Sequence, residues 1–180
     1  ARVREAISGL GATTRTMDLG LLHTLGEPAN VIAMSEAAAV HANRLSVAAE
    51  TYGPQIRARL AQAAAIPGFA YVRAQQIRAE AQRVFREQVF AEADLLILPT
   101  APDVAPMAEA VDLGNDPAVA SLIGRIAHFT RPINLLGLPA LSLPVLRTPD
   151  GPISVQIVGS AWSEDLIADL AQALETTLAL

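Results

Sequence analysis

Two residue types are missing from the 180 residues: there is no cysteine and no lysine, so all thirteen basic side chains are arginine. The first absence removes disulfides, thiolate catalysis and structural zinc together. The second removes lysine as a proton acceptor for a nucleophile. Charge is also sparse, at 17% of residues, whereas 52% are hydrophobic. That balance excludes a disordered chain, which lacks the apolar surface to offset its ordering entropy. No uninterrupted apolar run reaches the roughly 18 residues of a spanning helix, and the richest one is broken by Pro132, Pro139 and Pro144. No membrane partner is expected. The net charge of −5 and a pI near 5.1 leave no basic stripe to track phosphate, so no nucleic-acid partner is expected either.

The length suits one domain over residues 1–180. The apolar excess suggests surface that meets a further copy, as in a homo-oligomer, or another part of the same protein. The opening ARVREAISGL carries neither a methionine nor a signal-like segment. It reads as cut from something longer, with a cytoplasmic location as the default.

Residues 2–9 read as a short helix, and alternation through residues 14–19 predicts a half-buried strand. Gly9 and Gly11 faintly resemble a dinucleotide loop, but that loop must run from strand into helix, and here the order is reversed. Helical spacing returns over 30–50 and 56–66, and a longer helix is expected over 70–92, with Tyr71, Ala74, Ile77, Ala81, Val84, Phe85 and Val89 inward. Arg78 breaks that pattern. It falls on the apolar face, where an unpaired buried charge costs about 3 to 5 kcal/mol, so it is expected to find a carboxylate or carbonyls and hold the fold.

DLLILPT, residues 94–100, reads as a strand buried on both faces. Residues 117–128 recover helical spacing. FTRPINLLGLPALSLP, residues 129–144, carries too many prolines for helix or strand, yet is too apolar for a surface loop. ALSLPVLR and ISVQIVGSA then flank TPDG, which predicts an antiparallel hairpin. A last helix follows, capped by Ser163 and buried along Leu166, Leu170, Leu174 and Leu178.

A complete active centre is not visible. His23, His41 and His128 are scattered without ligand spacing, so no metal is expected, and no cofactor. None of the eight serines sits in a Gly-x-Ser-x-Gly elbow or beside a local base.

Five stretches in one order nonetheless resemble the C-terminal part of the amidase signature family, amide hydrolases with a Ser, cis-Ser, Lys triad. They are SEAAAVH (35–41), the Tyr71, Ala74, Arg78 spacing, DLLILPTAPDVAP (94–106), FTRPINLLGLPALSLP, and GPISVQIVGSAWSED (151–165). The resemblance implies an α/β fold, a mixed sheet layered with helices, of which this chain is the C-terminal portion. The proline-rich segment would then lie buried at a substrate cavity.

In that family the catalytic lysine and both serines lie upstream, so the resemblance assigns no catalytic residue here. It implies a small-molecule amide as substrate, and it points to Thr100, Asp103 and Asn134 as positions near the cavity. Arg59 resembles an arginine placed near a substrate carboxylate in members acting on glutamine, although Ala63 stands where those carry glycine. Thr100 and Asn134 equally suit satisfaction of local backbone groups. Members that amidate transfer RNA resemble the same stretches but carry an aspartate at the position of Ala127, which disfavours a tRNA-dependent amidotransferase of the A type. The other alternative is a non-catalytic association module of the same fold.

Overall fold

A computed structural model of the protein describes residues 2–111 and 117–179. Helix α1 (Arg2–Gly9) leads through an extended segment and a 3-10 turn (Gly20–Thr24) into the long α2 (Gly26–Ala48). Helices α3 (Pro54–Ala64) and α4 (Gly68–Val84) follow, and α4 runs on as a single π turn over Phe85–Val89. After strand β1 (Leu95–Pro99) come α5 (Ala108–Val111), α6 (Pro117–Ile126) and α7 (Thr130–Leu136), then the hairpin β2 (Ala140–Thr148) and β3 (Gly151–Gly159), and α8 (Glu164–Leu178).

The hairpin stands where the TPDG turn places it, closed by Thr148 opposite Gly151. β3 pairs antiparallel with β2 on one side and with β1 on the other, giving the order β1-β3-β2. A register shift lies between Pro144 and Leu146, where proline has no N–H to give the ladder. Among the described residues the sheet is thus small and antiparallel, layered with helices as the α/β reading requires.

Successive side chains on a strand face opposite ways, and the two faces feed two cores. Leu96 and Val158 join Leu25, Ala29, Ile32, Phe85, Ile133 and Leu136 on the side of α2, α4 and α7. Leu143, Val145 and Ile157 join Ala6, Ile7, Ile167, Ala171, Leu174 and Leu178 on the side of α1 and α8. β1 contributes to both, with Leu96 and Leu98 towards one core and Leu95 and Ile97 towards the other, as expected of a strand covered on each face.

Several local expectations are corrected. Residues 12–19 form no strand, since alternation supplies a pattern but no neighbouring backbone to pair with. Residues 130–136 are helical: Pro132 is the third residue of α7, within the first turn, where a missing N–H costs no intrahelical bond. Gly137 then ends the helix in the left-handed region at φ 68°, with its N–H on Asn134 O and that of Leu138 reaching Ile133 O, the Schellman arrangement. On α8 the buried stripe is Ile167, Ala171, Leu174 and Leu178, and Leu166 is exposed. Strict four-residue spacing drifts about 40° per step around a helix, so the stripe alternates steps of four and three. Ser163 makes no side-chain cap; its hydroxyl donates to Ser160 O at 2.7 Å.

Gly159 is fixed by packing. A Cβ there would lie 1.9 Å from Ser163 Oγ and 3.1 Å from Ile167 Cδ1. Gly159→Ala is expected to destabilise by about 1–3 kcal/mol, as overpacking generally does, read as a lower urea midpoint. An unchanged midpoint would show that the β3–α8 turn shifts freely.

Candidate functional site

Helix α7 is tied down at both ends by glutamine side chains. Gln156 on β3 is almost fully buried and its Nε2 donates to Phe129 O at 3.0 Å and to Pro99 O at 3.2 Å. One amide thus joins the start of α7 to the exit of β1. At the other end, Gln82 Nε2 on α4 donates to Leu136 O at 2.8 Å. Helix α7 therefore lies fixed beside α2 and α4, and the space left among the three is a pocket of 370 Å³.

Arg78 projects into this space from α4, with Arg131 and Asn134 from α7 and Glu36 from α2 around it. The Nε of Arg78 is buried and, among the described residues, has no hydrogen-bond partner. A Cβ built on Gly137 would come within 3.3 Å of Arg78 Nη2, so the guanidinium lies against the backbone that ends α7. The carboxylate or carbonyls expected to hold it are not found: among the described residues Arg78 makes no ion pair. Glu36 is engaged elsewhere, accepting from Tyr71 Oη at 3.1 Å, which in turn accepts from Gln75 Nε2 at 2.9 Å. A pocket with two arginines and one engaged carboxylate can receive an anionic or carbonyl oxygen, for which the guanidinium fork is the natural donor.

Of the four site residues expected from the sequence, only Asn134 lines this pocket. Thr100 stands at the β1 exit, its Oγ1 2.9 Å from Ser142 Oγ and its N–H on Ser154 O. Asp103 forms an exposed ion pair with Arg125. Arg59, on α3, reaches Met34 Sδ at 3.9 Å. Arg78, which the sequence assigns to holding the fold, lines the pocket, and its place on an apolar face is the signal that marks it. A larger cavity of 480 Å³ runs between residues 15–21 and the π turn, but there Arg15 and Glu92 are paired with each other and no buried polar atom is left over.

Among the described residues the groups for bond cleavage are not assembled. No serine hydroxyl is hydrogen-bonded to a histidine among the described residues: Ser142 meets Thr100, Ser163 meets a carbonyl, and His41 Nδ1 meets Tyr52 Oη at 2.9 Å. Nor do the described residues gather three metal-ligating side chains, and none of their helices is long and apolar enough to cross a membrane.

Among the described residues, then, a layered α/β wall carries a basic pocket in which no nucleophile and base are brought together. A crystal structure of an amidase superposes on this chain with a TM-score of 0.81 at 28% identity, covering 97% of this chain and 40% of that one. The family model described as Amidase matches residues 1–167, and the chain belongs to that family. Among curated relatives, a putative amidase AmiD of Mycobacterium bovis is 33% identical over 142 residues, 78% of this chain and 29% of that protein. The A-type subunit of glutamyl-tRNA(Gln) amidotransferase from Granulibacter bethesdensis is 41% identical over 111 residues, 61% of this chain and 21% of that protein. The chain thus spans well under half the length of the proteins it matches.

Proposed function

We propose that these residues form the substrate-pocket wall of an enzyme that hydrolyses a carboxamide to a carboxylic acid and ammonia or an amine. Family membership supports the reaction class, and the observation that carries the role is Arg78, whose buried Nε–H is unmatched beside the α2–α4–α7 pocket. The group it is matched to is an oxygen of the bound substrate. Asn134 contributes a second polar contact from α7. The bond-breaking serine and its lysine come from a region outside these residues, which contain no lysine. That serine attacks the amide carbonyl, backbone N–H groups hold the oxyanion, and water releases the acid from the acyl-enzyme. Thr100, Asp103 and Arg59, away from the pocket described, act on the substrate only if the rest of the enzyme brings it to them.

A second reading, the A-type component of a tRNA-dependent amidotransferase, draws on the identity to the Granulibacter protein. Against it stands Ala127, which lines the Arg78 pocket where the resemblance to that group calls for aspartate.

The purified 180 residues are expected to release no ammonia from simple carboxamides, whereas a protein joining them to a lysine- and serine-bearing amidase region is expected to do so. Turnover by the 180 residues alone, abolished by replacing one of their own serines, would overturn the division of labour.

A further inference from the structure

The three histidines look unrelated in sequence, yet the fold brings two of them together. His23 sits in the 3-10 turn that feeds α2, and His128 lies between α6 and α7. Their ring centres are 5.2 Å apart with the planes at 34°. Phe129 packs edge-on against His128, 4.7 Å between centres and 78° between planes, which limits how the His128 ring can turn. Both histidines are exposed, so an ion can reach them from solvent.

Their nitrogens are also uncommitted. His41 has Tyr52 Oη as a partner, but among the described residues neither the His23 ring nor the His128 ring has a hydrogen bond or ion pair. A tetrahedral ion held about 2.0–2.1 Å from one nitrogen of each of two imidazoles puts the ring centres about 5 Å apart. That is the separation seen here. Imidazole nitrogen selects borderline transition metals over the hard, oxygen-seeking magnesium ion.

We propose that His23 and His128 together bind one divalent transition-metal ion, Zn²⁺ or Ni²⁺, with water completing its coordination. The ion fastens the turn before α2 to the turn before α7. Those turns lead into two of the three helices around the Arg78 pocket, so binding stiffens one side of its rim. This site stands independently of the amide reading, since it uses neither Arg78 nor Asn134.

The test is calorimetric titration of the tag-free, chelator-treated protein with zinc or nickel chloride, with magnesium chloride as the hard-ion control and thermal unfolding as a second readout. One ion per chain is expected, with a Tm that rises with zinc concentration because the ion binds the folded state. His23→Gln and His128→Gln should each weaken affinity tenfold or more and remove the Tm rise, while His41→Gln leaves both as they were. The site is disproved by the lack of saturable binding, by equal binding of magnesium, or by undiminished zinc affinity in either the His23 or the His128 variant. His23 and His128 are exposed and His41 half-buried, so the substitutions are expected to leave the fold intact, and circular dichroism without metal verifies that.

Discussion

Gln156→Leu should unfold at a far lower urea concentration than the parent chain, with the slope of the transition unchanged. Leucine nearly matches the volume of glutamine but donates nothing, so Phe129 O and Pro99 O lose the amide that now serves both. A buried acceptor left without a donor costs about 1–3 kcal/mol; with Phe129 half-buried and Pro99 exposed, water reaches Pro99 O more readily, and the total is expected at about 1–3 kcal/mol. Domains are stable by only about 5–15 kcal/mol, so the loss is a large fraction of the whole. It also frees the start of α7 from the end of β1, which predicts loss of substrate affinity in the active enzyme beyond what destabilisation alone explains. A shift worth less than about 0.5 kcal/mol would mean that water replaces the amide, and that α7 is held by apolar packing alone.

Arg78→Met is expected to produce the opposite combination: activity falls while stability holds or rises. Methionine fills the same channel between α4 and Gly137 without the buried, unmatched Nε–H, and replacing an unmatched buried polar group by an apolar side chain is frequently neutral or stabilising. In the active enzyme, however, the substrate oxygen loses a charge-assisted bond worth about 1.5–3 kcal/mol, so kcat/KM should drop about 10- to 150-fold. Arg78→Lys should recover only part of it, because an ammonium lacks the planar fork. Steady-state kinetics beside urea unfolding separates the outcomes. If Arg78→Met loses stability along with activity, the arginine is a structural strut and the pocket has been assigned the wrong centre.

How far the sequence could be read depended on whether the deciding partner was local. The hairpin was legible because TPDG and its flanking alternation carry turn and pairing within a short stretch. The helices were legible from period alone. Residues 12–19 show the limit, since the same alternation yields no strand without a neighbour. Residues 130–136 show the converse: a proline-rich stretch reads as broken, yet Pro132 sits early enough in α7 to be harmless. The Leu166-to-Leu178 stripe was off by one position for Leu166 and Leu170, because leucine content was followed in place of the helical angle. At the site, Arg78 was conspicuous by its position on an apolar face, but the missing partner could be recognised only once α2, α4 and α7 were in place. Pairing of His23 with His128 leaves no trace in spacing at all.

The division of labour along β3 has a consequence for how such a protein diversifies. Ile157 and Val158 are adjacent and both inaccessible to solvent, yet one belongs to the α1–α8 side and the other to the α7 side. Substitutions at Val158, Leu96 and Ile133 can therefore repack the core on the α2, α4 and α7 side while the rear layer keeps its residues, because a single pleated backbone insulates one set of changes from the other. The packing beneath α7 can thus change without re-inventing the foundation behind.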